Sequence, residues 1–372
     1  MITPNPKYRP DPARSIYIDG ELTSAMFSKL TPQIIKLQKT NRNPITVYVV
    51  DSPGGNTAIL QSILNTLRLP DQDGGSPCHI ITVVTSRAAS CAADLISSGD
   101  YAIAYPGSSL LYHGTRIPGL VPALQPLTAE RTSILSHILR LTNDTYAMDL
   151  VRKSERRFLL RFMMLRIRFQ GVRDAHAPAA MSDLECFLTL LSPELSVKAR
   201  KVLTKSKERY DRYAPLITKF LSKPNGKKKS HPAKDEAARL RSIVTFEFEA
   251  NKGSDVWTFK DGGLSKVLED FFLIAEYIEN QRSDRLKTWC INVGRNSLSQ
   301  ADQDALDKIK DEQAKNEELF QKVKPIIQPI WMFFVALCHA LQEDDNDITA
   351  NDAYQFGLVD EVWGETTHIT GR

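Results

Sequence analysis

Ser90 and His113 are the two residues whose types and settings can do chemistry together. Ser90 lies in Ser86-Arg87-Ala88-Ala89-Ser90-Cys91-Ala92-Ala93-Asp94-Leu95-Ile96, directly after the apolar run Ile80-Ile81-Thr82-Val83-Val84-Thr85. The run is short and β-branched, so it reads as a buried strand. The Ala-rich stretch from Ser86 onward reads as a helix. Ser90 therefore falls at or just inside a helix N-terminus. Backbone N–H groups are unpaired there and the helix dipole favours negative charge. A serine in that place can form an acyl intermediate whose oxyanion those donors meet. Tyr101-Ala102-Ile103-Ala104-Tyr105-Pro106-Gly107-Ser108-Ser109-Leu110-Leu111-Tyr112 reads as strand, turn and strand, ending at His113. An imidazole there can take the serine proton. A serine opening an Ala-rich helix is also a common N-cap, and for Ser90 alone the cap is the stronger reading.

The elements upstream change that balance. Ser15–Gly20 alternates and ends in a turn signal, which predicts a strand. Leu22–Thr40 carries apolar residues at helical spacing, and Asn43-Pro44 ends it. Ile45–Val50 reads as a buried strand running into Asp51-Ser52-Pro53-Gly54-Gly55-Asn56, followed by a helix from Ala58 to Leu69. Strands alternating with helices imply crossover connections and a parallel sheet, with sites at the carboxyl ends of strands. Gly54-Gly55 and Ser90 both sit at such ends. Two glycines can simply close a turn. Lacking a Cβ, they also let backbone approach a reacting carbonyl. One N–H from Gly54 or Gly55, with that of Cys91, makes a two-donor oxyanion hole.

Bulk properties bound the class. At 372 residues the chain is long for one compact domain, so an insertion or a second domain is expected. A formal net charge of +4 gives no reason to propose nucleic acid as the partner. Cys78, Cys91, Cys186, Cys290 and Cys338 are scattered and odd in number, which fits a reduced, cytoplasmic setting better than a disulfide framework. The His and Cys spacing suggests no metal, and no other cofactor is implied. Met1–Arg14 is Pro-rich and polar, without the apolar core of a secretory signal. Pro325–Leu341 is apolar and near the minimum length of a membrane span. Its Pro329 and His339 favour a buried helix, so membrane association is not expected.

The order of strand, Ser52-Pro53-Gly54-Gly55, helix, strand, Ala88-Ala89-Ser90 and later His113 resembles the proteolytic subunit of the Clp protease family. The late segment Asp345-Asn346-Asp347-Ile348-Thr349 to Gly357-Leu358-Val359-Asp360-Glu361-Val362 resembles that family's closing segment, where an aspartate precedes a short helix and a Tyr-Gly-Leu-Val-Asp turn. The likeness covers roughly Arg14–Ser154 and Trp331–Trp363. It implies an α/β fold of the Clp/crotonase type, a spiral of repeated β-β-α units. It implies Ser90 as nucleophile, His113 as base and Asp345 as the acid that orients the base. Asp344 and Asp347 flank Asp345, and a slip of alignment exchanges them. An acidic turn capping the helix near Thr349 is the plainer account of that cluster. The chain departs from the family pattern in having Ser86 four residues before the nucleophile, where glycine is usual, and Cys91 after it, where methionine is frequent. Only the amide of residue 91 is needed, and its thiol is expected to point away from the Ser90 side chain. Gly114-Thr115 replaces the usual Gln-Pro after the histidine, which alters the wall beside a peptide.

The resemblance divides the chain into a flexible segment 1–14, a peptidase core 15–153, a mostly helical insertion 154–329 and a closing part 330–372. Thr128–Arg152 resembles the family's handle helix. Arg156–Arg168 mixes arginines with large apolar groups, and reads as a helix buried on one side with its arginines in solvent or paired with Glu and Asp, rather than as a helix for an anionic membrane surface or an acidic partner. Lys223–Ser230 reads as a basic loop, Ser242–Phe248 with Asp255–Phe259 as a hairpin, and Asp302–Lys324 as a charged helix. The resemblance also implies a peptide or unfolded protein as substrate, a homo-oligomeric ring and an ATP-dependent unfoldase partner. The chain has no Gly-x-x-x-x-Gly-Lys-Ser/Thr loop to supply ATPase activity itself. The reading is a serine endopeptidase. Its rivals are a non-catalytic scaffold of the same fold and a crotonase-like acyl-CoA enzyme, which would use the two amides without Ser90 and His113.

Overall fold

The computed structural model describes residues 8–70, 74–114, 129–176, 181–222 and 298–364, with positions 287, 291 and 295 between them. The described chain falls into two compact units. The first holds residues up to His113, Asp149–Thr204 and the chain from Glu343; the second holds Gly114–Met148 and Lys205–Gln342.

The first unit is an α/β layer structure, as expected. Its strands are β1 (Ser15–Ile18), β2 (Ile45–Ser52), β3 (Ile80–Ala89), β4 (Tyr101–Ala104), β5 (Ser109–Tyr112), β6 (Asn346–Thr349) and β7 (Glu361–Val362). They form one sheet in the order β1-β2-β3-β4-β7, with β5 pairing β3 and β6. Every pairing is parallel except β5 with β6. Helices α1 (Ser24–Thr40), α2 (Thr57–Leu67) and α3 (Cys91–Ser97) make the crossovers. Thr23 and Asn56 cap α1 and α2, their side chains accepting from Met26 N–H and Ala58 N–H. The central strands β3, over Ile80–Val84, and β4 are buried on both faces, as parallel strands between covering layers are, whereas the edge strand β1 leaves Tyr17 exposed. Ile16, Ile18, Val47, Val49, Ile81 and Val83 are fully buried, each worth about 1.5–3 kcal/mol relative to exposure.

Three expectations change. Ser86–Ala89 is strand, because Arg87, Ala88 and Ala89 pair with Ser109, Leu110 and Leu111 of β5. The pairing overrides the helix preference of alanine. The segment before β1 is not wholly loose. Tyr8 stacks on Tyr101, Arg9 bonds both oxygens of Glu361, and the buried Arg14 guanidinium donates to the carbonyls of Leu37, Asn41, Asn43 and Pro44. The stretch expected as one insertion from 154 also divides, with its first part lying in the first unit. There α4 (Ala129–Arg166), α5 (Phe169–Ala175) and α6 (Asp183–Leu191) bring together the rings of Phe158, Phe162, Phe169 and Phe187.

The arginines of α4 are largely paired. Arg157 donates to Asp360 and to the carbonyls of Ser97 and Gly99, Arg166 bonds Asp183, and the buried Arg161 donates to the Tyr354 carbonyl. The closing segment lies directly on this helix. A Cβ at Gly357, whose φ is +70°, would come within 2.5 Å of Phe158 N.

Helix α7 (Val197–Ser222) starts in the first unit and continues into the second. That second unit also contains α8 (Gln300–Asp307) and α9 (Glu312–Leu341). The apolar segment from Pro325 is the last part of α9, and Ile330–Leu341 is buried throughout. By length and composition α9 can cross a membrane, but most of its apolar stretch is covered by protein. His339 of α9 pairs with Asp144 of α4 at 3.0 Å, both buried, and Arg209 of α7 reaches the same ring. The basic loop at Lys223 and the hairpin expected over Ser242–Phe259 lie outside the described residues.

Gly357→Ala should lower stability by about 2–4 kcal/mol in chemical denaturation, since it adds both a left-handed backbone penalty and a backbone clash. A second outcome concerns Asp94 on α3. Its residue surface is only partly covered, but the carboxyl group itself is enclosed. Burial first, then the charge of Asp149, raises it from 3.8 to about 6 against the opposing pull of Lys153. The folded chain thus holds this proton more tightly than the unfolded one. That stabilisation is complete below about pH 4 and is lost as pH rises through about 6. Asp94→Asn should therefore gain on the order of 2–3 kcal/mol over the natural protein between pH 4 and pH 8, measured as the pH dependence of the stability difference.

Candidate active site

Ser90 links β3 to α3, and its backbone is the exception of the fold. Its φ is +54° and ψ −128°; among the described residues no other non-glycine has positive φ. A residue held there costs on the order of 1–3 kcal/mol and persists only where surroundings enforce it. The enforcement is visible. β5 holds Ala89 in register with Leu111, and Ser90 N–H donates to the Leu111 carbonyl at 2.8 Å. On the other side Ser90 O accepts from Ala93 N–H and Asp94 N–H, starting the helix. Ser90 occupies the N-cap position, but its side chain makes no capping hydrogen bond. The cap reading of this serine therefore fails, and the hydroxyl stays partly exposed at the carboxyl end of the sheet.

Gly54 passes so close to this turn that only a glycine fits. A Cβ there would lie 2.6 Å from both Ala89 O and Ser90 Cβ, and φ is +94°. The loop is tied from below: Ser52 Oγ donates to the Gly20 carbonyl at 2.7 Å, and Gly54 N–H donates back to Ser52 Oγ at 3.3 Å. Gly54 N–H is thus already engaged, which leaves Gly55 as the donor to consider.

Leu22 decides where the Gly55 groups point. Leu22 N–H donates to the Gly54 carbonyl at 2.7 Å and Asn56 N–H donates to the Leu22 carbonyl at 3.2 Å. Both peptides around Gly55 are thereby turned toward Leu22 by those atoms. In a trans peptide the N–H and C=O point oppositely, so Gly55 N–H and Gly55 C=O face away from Leu22. The start of α3 lies on that far side, because the Cys91 thiol donates to the Gly55 carbonyl at 3.3 Å. Cys91 N–H, at the first position of α3, has no partner within the helix. The Gly55 amide thus faces the start of α3, where the Cys91 amide follows Ser90. Leu22 was not singled out from sequence, since nothing in its type marks a pairing with Gly55.

The thiol is turned toward the glycine loop by its bond to the Gly55 carbonyl. Burial first, then the charge of Asp94, pushes the Cys91 thiol up. It is therefore an S–H donor and not a thiolate.

His113 directly follows β5 and is partly exposed. Asp345 directly precedes β6 and is exposed. The last antiparallel pair of these strands is Tyr112 with Asn346. Continued one residue beyond the end of the ladder, that register would set His113 across from Asp345. Asp347 instead stands opposite Leu111 and meets Lys198 at 3.5 Å. The capping of the following helix α10 (Ala350–Gln355) is done by Thr349 and Asp352, which leaves Asp345 out of that task.

No curated protein matches the chain. The family model described as Clp protease matches residues 9–120, a stretch that takes in Gly54, Gly55, Ser90, Cys91 and His113 and ends before Asp345. With its mostly parallel sheet and its glycine loop against the Ser90 turn, the stretch 9–120 has the features of the Clp protease domain that it matches.

Proposed function

We propose that this chain is a serine endopeptidase of the Clp type, with Ser90 as nucleophile, His113 as base and Asp345 as the acid that orients the base. The observation that carries the reading is the strained Ser90 backbone. It holds an uncapped hydroxyl beside the Gly55 and Cys91 amides, at a cost a purely structural serine gives no reason to bear.

In this reading His113 removes the Ser90 proton as Oγ attacks the peptide carbonyl carbon. The carbonyl π electrons move to oxygen, and the oxyanion accepts from Gly55 N–H and Cys91 N–H. The tetrahedral centre collapses, the C–N bond breaks, and His113 passes its proton to the leaving amine. Water, deprotonated by His113, then attacks the acyl ester and restores Ser90. Asp345 holds the imidazole tautomer and balances its positive charge. Binding of unfolded peptide, assembly into a ring and delivery of substrate by an ATP-dependent unfoldase belong to this proposal as the general pattern of the family, as does a cytoplasmic location.

A fluorophosphonate probe should label the full chain at Ser90, Ser90→Ala should abolish labelling, and His113→Ala should slow it about 10²–10⁴-fold. Labelling untouched by Ser90→Ala would overturn the assignment. Unchanged turnover in His113→Ala would favour the scaffold. Gly54→Ala should cost at least about 10²-fold in labelling rate, because the new methyl group must displace the Ser90 turn.

A further inference from the structure

We propose that Cys91 is a positioning residue for the oxyanion site, its thiol holding the Gly55 amide in line with the Cys91 amide. This role rests on the peptidase reading above and deepens it. The proposal starts from how weakly Gly55 is otherwise held. Two glycines in succession, with φ +94° and +145°, have no side chains to restrict them. Leu22 holds them through the Gly54 carbonyl and the Asn56 amide, and Ser52 holds the Gly54 amide, but none of these bonds is made to the groups of Gly55 itself. The amide that must meet an oxyanion faces the other way.

On that side the Cys91 Sγ–H donates to the Gly55 carbonyl at 3.3 Å. Gly55 N–H and Gly55 C=O point to the same side, so fixing the carbonyl also fixes the direction of the amide. The thiol belongs to the residue that supplies the second amide. One side chain thus sets the spacing between both donors. Cys91 is 3% exposed, so its thiol has few partners other than the Gly55 carbonyl, although Gly55 itself lies at the surface. A residue without a donor at 91 would remove this bond and leave the glycine pair freer to turn.

The test compares Cys91→Ala with Cys91→Ser in the full chain, reading the fluorophosphonate labelling rate at Ser90 and the thermal midpoint. Cys91→Ala should label about five- to tenfold more slowly, the loss expected for one neutral hydrogen bond. Cys91→Ser keeps a donor and should recover most of that loss, even if its thermal midpoint is no higher than that of Cys91→Ala. Equal labelling rates in the two variants would overturn the role, since a space-filling residue gives no advantage to a hydroxyl. An independent reading comes from infrared difference spectra of the natural protein against Cys91→Ser. The S–H stretch of Cys91 should lie at the lowered frequency of a hydrogen-bonded thiol, and a free-thiol frequency would overturn the contact. If the natural protein fails to label at Ser90, the peptidase reading falls, whereas a labelled natural protein with an unaffected Cys91→Ala ends only the positioning role.

Discussion

The backbone turn from Ala89 to Cys91 is the constraint on which the rest of the first unit depends. β3 ends at a left-handed residue, Ser90, and α3 starts at the next one. One hydrogen bond, Ser90 N–H to Leu111 O, and one close approach, Gly54 against Ala89 and Ser90, hold that turn. The same two features set the chemistry. The Leu111 bond ties the turn to β5, which His113 directly follows. The Gly54 approach brings the Gly55 amide alongside. Strain at one residue is thereby shared with the sheet on one side and the glycine loop on the other.

The remaining elements serve this turn at one remove. Leu22 and Ser52 tether the glycine loop, so the loop cannot drift from Ser90 without breaking hydrogen bonds to Gly20 and Gly54. Strand β6 returns from the far end of the sequence to pair with β5, bringing the acidic segment that precedes it to the end of the strand that His113 follows. Behind them, Arg157 joins α4 to the end of α3 and to Asp360 of the closing segment. Each of these is a polar contact between segments far apart in the chain, placed where loops would otherwise be free to move.

Much of this was legible beforehand, and the reason is locality. Ile45–Val50 and Ile80–Thr85 announce strands by composition, and Ser52-Pro53-Gly54-Gly55 announces a turn by residue type. What was misread was also informative. Ser86–Ala89 looks helical because alanine favours helices, yet β5 claims it as strand. Arg14 looked like part of a loose leader, but its guanidinium satisfies four backbone carbonyls.

The amino-acid sequence by itself determined the alternation of strands and helices, the glycine loop and the placing of Ser90 at a helix start, since each follows from the preferences of adjacent residues. Tertiary structure alone decided the rest. It paired Asp347 with Leu111 and so turned it away from the end of β5, and directed the Gly55 amide rather than that of Gly54 toward α3. It also assigned the first part of the long helical stretch to the same unit as the sheet. Those outcomes turn on register and on hydrogen bonds between distant segments, whose energies exist only once the chain has brought those segments together.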